Sequence, residues 1–304
     1  MKISLGPIYY YWDRQKVFEF YEMIAKTSVD IVYLGEVVCS KRRQLKIEDW
    51  LMIASQLRDA GKEVVFSTLT LLEADSELKQ LGRICRQEDY LIEANDYAAI
   101  GLRSKQNKPF VTGPSVNLYN APSLNLLAKK GLVRWCFPLE LSQEALQQMM
   151  TGISSELQTE VFVFGQMPLA FSARCFTARA YDLDKDDCQY KCLMHEDGLL
   201  LSTQEQQSFL MMNGIQTLSA NTFNLISQMD QMQNMGVDVV RISPQFAHTA
   251  EIIQVFKDRI AQNISVHQAL GLLQPFSEHQ QCDGYWFDKP GMSGVELQQP
   301  ILKC

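Results

Sequence analysis

No apolar run in the 304-residue sequence approaches the roughly 20 residues that a membrane-spanning helix needs. The opening stretch MKISLGPIYYYW carries one lysine and then aromatics, with no small-residue cleavage site, so no secretory leader is expected and the protein should be cytosolic. Basic charge is scarce as well: 28 Lys and Arg against 35 Asp and Glu leave a net charge of −7 and a pI near 5.2. The one basic run, SKRRQ at 40–44, is short, which speaks against nucleic acid as a main partner. The four histidines, His195, His248, His267 and His279, form no H-E-x-x-H or H-x3-H pair, and no G-x-S-x-G elbow occurs. A paired-histidine metal site and a serine-hydrolase triad therefore have no support. Low-complexity tracts, heptads and Pro-rich linkers are missing too, and the 10 prolines are dispersed, so one domain over 1–304 is expected.

The composition, 46% hydrophobic and 21% charged, is that of an ordinary folded protein. Short β-prone runs recur at 2–5, 31–34, 64–67, 90–92, 110–112, 133–137, 161–164 and 237–242. Between them, apolar residues fall at helical spacing, as in Trp50, Leu51, Ala54, Leu57 and Ala60 before Gly61, or Leu146, Met149 and Met150 after Ser142. This alternation is what a parallel sheet with crossover helices produces. Nothing like G-x-G-x-x-G follows the first run, so eight units predict a closed, TIM-barrel-like (β/α)8 fold in preference to an open doubly wound sheet. The longest gap separates the seventh and eighth runs, and 168–222 is expected to be a functional insertion, with Asn213-Gly214 as a hairpin turn. At the other end, GYWFDKPGMSGVELQQPILKC reads as a closing turn followed by a loose tail in which Cys304 is a bystander.

Eight cysteines are many for a reducing compartment. Three of them, Cys175, Cys188 and Cys192, lie in the polar stretch SARCFTARAYDLDKDDCQYKC. Cys188 and Cys192, four apart, would share a face on one helical turn. Cys39 is the best candidate for a fourth ligand: it follows the second β-prone run as Cys175 follows the seventh, and in a parallel barrel those ends share one face. Four thiolates suit structural zinc or an iron–sulfur cluster. The wide spacing leans toward iron–sulfur, while unrelated reduced thiols stay open as the bland alternative. Cys85, Cys136 and Cys282 read as packing residues.

Glu36, Glu93 and Glu140 fall at or just beyond strand ends, where barrel enzymes place acid–base groups, although a solvated or structural role is as common. Arg241 could meet a substrate carboxylate or form a salt bridge. Arg174 and Arg179, which flank Cys175, could offset thiolate charge, and His195 lies close enough in sequence to contact a ligating Cys192.

The run EVFVFGQMPLAFSARCFTAR at 160–179, with Cys188 and Cys192 behind it, resembles the signature region of the collagenase-like peptidase family. The likeness extends through IVYLGEVVCSKRR near the start and GYWFDKPGM near the end, so it covers most of the chain. Glu160, Phe162, Gly165 and Cys175 match the signature. Pro168 stands at its earlier cysteine, Ala173 at the following glycine, and Gln166 at the small residue after the first Gly. A thiol nucleophile at that earlier position is thereby lost.

The resemblance is strongest to the members that serve oxygen-independent ubiquinone biosynthesis. It implies a [4Fe–4S] cluster held by Cys39, Cys175, Cys188 and Cys192, and a heterodimer with a homologous subunit. It also implies anaerobic ring hydroxylation of a ubiquinone precursor delivered by a lipid-binding partner, with prephenate implicated as oxygen source in related members. The competing expectations are a collagenase-like peptidase and a zinc-stabilised, non-catalytic scaffold.

Overall fold

A computed structural model of the chain describes residues 1–277 and 279–294. Seven strands alternate with helices: β1 (Lys2–Leu5), β2 (Ile31–Leu34), β3 (Glu63–Ser67), β4 (Leu91–Ala94), β5 (Phe110–Thr112), β6 (Leu132–Cys136) and β7 (Gln158–Phe171). The intervening helices are α1 (Arg14–Ala25), α2 (Ile47–Asp59), α3 (Asp75–Cys85), α4 (Tyr97–Lys105), α5 (Ala121–Ala128) and α6 (Gln143–Gly152). A short α7 (Phe176–Ala180) and three strands follow: β8 (Leu199–Ser202), β9 (Ser208–Asn213) and β10 (Gln216–Asn224). The chain then continues through α8 (Met229–Met235), β11 (Val239–Ile242), α9 (Thr249–Ile260), α10 (Val266–Leu273) and β12 (Gln281–Cys282).

Each of β1 to β6 pairs in parallel with its successor, and β11 pairs in parallel with both β7 and β1, which closes an eight-stranded barrel. The fold is the predicted TIM-barrel-like α/β architecture. Its strands are short and almost entirely buried because helices cover the outer face while side chains fill the inner one. Ile31, Tyr33, Val65, Val111 and Val239 form a small inner core, distinct from the large one between barrel and helices. Helix starts follow local capping chemistry: the Asp13 carboxylate accepts the Lys16 N–H at 2.9 Å, and that of Asp96 accepts from Ala98 at 2.6 Å.

Two strands depart from the sequence expectation for tertiary reasons. The seventh run continues well past 161–164 because β10 pairs antiparallel with its distal half, from Gln216 opposite Phe171 to Asn224 opposite Phe164. Gly165 permits this: its φ is +122°, and a Cβ there would lie 2.6 Å from the Ser243 Cβ just past β11. Pro168 sits beside a register shift, where a missing N–H is tolerated. The fourth strand runs to Ala94 instead of stopping at 92, because the charge of Glu93 is neutralised inside the barrel. The predicted hairpin is present, with Gly214 and Ile215 as its two turn residues between β9 and β10. The loose tail and Cys304 lie outside the described residues.

Candidate functional site

Cys39 is positioned by the turn that follows β2. The Glu36 carboxylate accepts the backbone N–H of Val38 at 2.8 Å and of Cys39 at 3.0 Å, while Val37 and Val38 anchor the turn in the core. Cys175 caps α7, its Sγ accepting the Ala178 N–H at 3.4 Å. That helix is docked on the β9–β10 hairpin: Gly214 N–H donates to Thr177 Oγ1 at 2.9 Å, and Phe176 N–H donates to the Gly214 carbonyl at 2.8 Å.

Cys188 and Cys192 do not lie on a turn of α-helix. Gln189 and Tyr190 between them are both left-handed, at φ +48° and +52°, and Cys192 is the second residue of a 3-10 turn at Lys191–Met194. Two such residues in succession cost about 1–2 kcal/mol each and persist only where surrounding contacts enforce them. One such contact is Lys41, whose Nζ donates to Asp186 Oδ1 at 2.5 Å and to the Lys185 carbonyl at 2.9 Å, joining the Cys39 loop to the Cys188 loop.

The structure brings all four expected cysteines to the lining of one small cavity, shared with Lys41, Arg42 and Lys191. None is in a disulfide. Among the described residues, no three His, Cys, Asp or Glu side chains converge as a single metal ion requires. Burial pushes the Cys39 thiol up to about 11 and raises that of Cys192, while Arg42 pulls both down. The Arg42 side chain is buried, with Nη1 donating to the Tyr9 carbonyl at 2.5 Å and Nη2 to Asn213 Oδ1 at 2.6 Å. Arg42 thus supplies the positive charge that the sequence assigned to Arg174 and Arg179, both of which are exposed. Nothing in the short run SKRRQ distinguished it from a solvated patch. His195 contacts Tyr181 Oη at 2.7 Å, and no histidine lines the cavity.

A second polar assembly fills the upper barrel interior. Arg241 Nε donates to Glu160 Oε1 at 2.7 Å and Nη1 to Glu93 Oε1 at 2.7 Å, all three residues being almost fully buried. Ser4 Oγ donates to Glu160 at 2.5 Å, Tyr33 Oη donates to its other oxygen, and Arg134 Nε stands 4.0 Å away. Arg241 therefore makes the salt bridges weighed for it, and Glu93 serves as one partner. Glu36 lies beside the thiol cavity, 3.8 Å from Arg42, and Glu140 pairs with Tyr119 at the surface. Cys85, Cys136 and Cys282 are buried, as packing residues should be.

Among solved structures, the truncated 3-deoxy-D-arabino-heptulosonate 7-phosphate synthase of Thermotoga maritima is similar at 13% identity. That match covers 89% of this chain and 88% of the other, with a TM-score of 0.46. A xylose isomerase domain-containing protein of Salmonella typhimurium is similar at 10% identity over 90% of this chain and 95% of the other, with a TM-score of 0.40. No activity passes from such distant likenesses to this chain. Its sequence matches the model of peptidase family U32 over residues 16–292, nearly its whole length, and the chain belongs to that family.

Proposed function

We propose that this chain is the iron–sulfur subunit of an oxygen-independent hydroxylase acting on ubiquinone precursors, the role of UbiV beside its homologue UbiU. The observation that carries the reading is the meeting of Cys39, from the barrel, with Cys175, Cys188 and Cys192, from the insertion, around one cavity. These four thiolates would hold a [4Fe–4S] cluster, which supplies one-electron transfer when bound. The chemistry of the surroundings fits a negatively charged thiolate group. Arg42 and the Lys41 N–H both favour the ionised form of Cys39, Arg42 does the same for Cys192, and the Ala178 N–H points at Cys175 Sγ.

Membership of a peptidase family does not supply a nucleophile here. Pro168 occupies the position of the earlier signature cysteine, and no histidine stands at the thiol cavity to act as base. Anaerobic purification tests the proposal: about four iron and four sulfide per chain is the expected content. Replacement of Cys39, Cys175, Cys188 or Cys192 by Ala should abolish it, while Cys85→Ala and Cys136→Ala should leave it unchanged. A colourless protein with one zinc would establish the scaffold reading instead, and peptide cleavage by metal-free protein would establish the peptidase.

A further inference from the structure

A cavity of about 440 Å³, the size of a small-molecule site, lies beside the upper barrel where the ring of helices parts. Helix α1 packs on α2 and α3 packs on α4, but α2 and α3 barely touch. Into that seam α2 turns Ile47 and Trp50, while α3 turns Glu77, Gln80, Leu81 and Ile84, one face at helical spacing. Arg42 is the one residue that its wall shares with the thiol cavity. The aromatic side of the wall is occupied by its own contacts: Tyr10 stacks on Trp12, which meets Phe20 and Phe246 edge-on. Leu45, Ile47, Leu72 and Ile84 remain half-buried and face the cleft. Aliphatic walls of this kind suit a chain of methylenes, each of which gains roughly fourfold in affinity when fully buried.

The rim selects the charge of the ligand. Arg42 faces Glu36 at 3.8 Å, and the Glu77 carboxylate is taken up by the Ala74 N–H at 3.1 Å and by Ser40. That leaves Arg43, Lys46 and Arg83, all exposed, against Glu48 alone. Among the described residues no carboxylate lies within salt-bridge distance of these three cations, and Asp49, which is near Lys46, is bound to Arg14 at 2.6 Å. Unpaired cations gathered over an aliphatic cleft run against the net charge of −7 and attract an anion. We propose that the α2–α3 cleft binds a single-chain fatty acid, with its hydrocarbon between Leu45, Ile47, Leu72 and Ile84 and its carboxylate at Arg43, Lys46 and Arg83. A neutral phenolic lipid would leave those cations unanswered, so this ligand is not the substrate of the hydroxylase reading. The site goes beyond that reading and needs no metal at the thiols.

Isothermal titration calorimetry on the full chain tests this with laurate, kept below its micelle-forming concentration. Dodecyltrimethylammonium serves as the chain-matched cation and 2-geranylphenol as the neutral prenylated phenol. The expected result is one laurate per chain, with both comparison ligands bound at least about tenfold more weakly. Combined Arg43→Gln, Lys46→Gln and Arg83→Gln should weaken laurate about tenfold and leave 2-geranylphenol unchanged. Leu72→Trp, in the loop between β3 and α3, should fill the cleft and abolish laurate binding. Circular dichroism melts confirm that each variant is folded, and either folded variant suffices to judge the site. Absence of laurate binding, or laurate binding unchanged in a folded variant, would overturn the proposal. So would a comparison ligand held as tightly as laurate and lost with Leu72→Trp. Each of these outcomes is independent of iron content, so it leaves the cluster assignment to its own test.

Discussion

The Tyr9 carbonyl oxygen accepts a hydrogen bond from Arg42 Nη1 at 2.5 Å, which ties the loop after β1 to the wall of the thiol cavity through one buried contact. Tyr9 presents its ring to the barrel mouth, and the guanidinium it holds lies beside Cys192. Arg42 also clamps Asn213 at the end of β9, next to the hairpin turn. Arg42→Met keeps an apolar stem but leaves two buried acceptors short of a donor. Urea denaturation should show a loss of roughly 2–4 kcal/mol. A change below about 0.5 kcal/mol would mean that the arginine is an ordinary surface residue.

Glu160 sets the acid limit of the barrel. Burial alone would raise its carboxyl, but Arg241, aided by Arg134 and Ser4, holds it below the ordinary value. A lowered folded value stabilises the protein fully above the unfolded carboxylate pKa, about 4.3, and that contribution fades as pH falls through the folded value. Glu160→Gln should therefore lower stability at pH 7 and flatten the decline below about pH 4.3. Unfolding free energies measured from neutral to acid pH check this; parallel curves for the two proteins would refute it.

Gly214 is held in place by both its backbone angle and its neighbours. Its φ is +65°, and a Cβ there would approach Arg42 Nη2 to 3.0 Å. Gly214→Ala should cost at least about 1 kcal/mol. It should also speed amide exchange at the tip of the hairpin and in α7, since Thr177 and Phe176 are hydrogen-bonded to this residue. Unaltered exchange would show that the tip adapts without strain.

On the proposed cluster assignment, anaerobic chelation of its iron should loosen the segment that carries three of the four thiols. Hydrogen exchange is expected to rise across 172–198 and to stay unchanged in β1 to β6. The reason is the scarcity of apolar anchoring there: Cys175, Cys188 and Cys192 are only half-buried, and the 3-10 turns around them contain no buried residue. Identical exchange before and after chelation would argue against a metal that orders this loop.

The eight barrel strands were legible because strands covered on both faces are written as short β-branched and aromatic runs, a pattern that belongs to each segment alone. The distal half of β7 was not legible. It contains Gly165 and Pro168, which do not favour a strand locally, and it extends because β10 arrives from far along the chain to pair with it. The burial of Glu93 and Glu160 was hidden for a related reason. A carboxylate in a sequence suggests solvent, and only Arg241, 148 and 81 residues away, makes burial tolerable.

The thiol centre divides in the same way. Residue type and spacing singled out Cys39, Cys175, Cys188 and Cys192, since thiol chemistry is a property of the side chain and the strand-end positions followed from the barrel. Chain folding alone selected Arg42 over Arg174 and Arg179, replaced the supposed helical turn by two left-handed residues, and left Arg241 Nη2 buried without a hydrogen bond. Local pattern records what a segment prefers. Which charges meet, and which are left over, depends on distant residues brought within hydrogen-bonding reach.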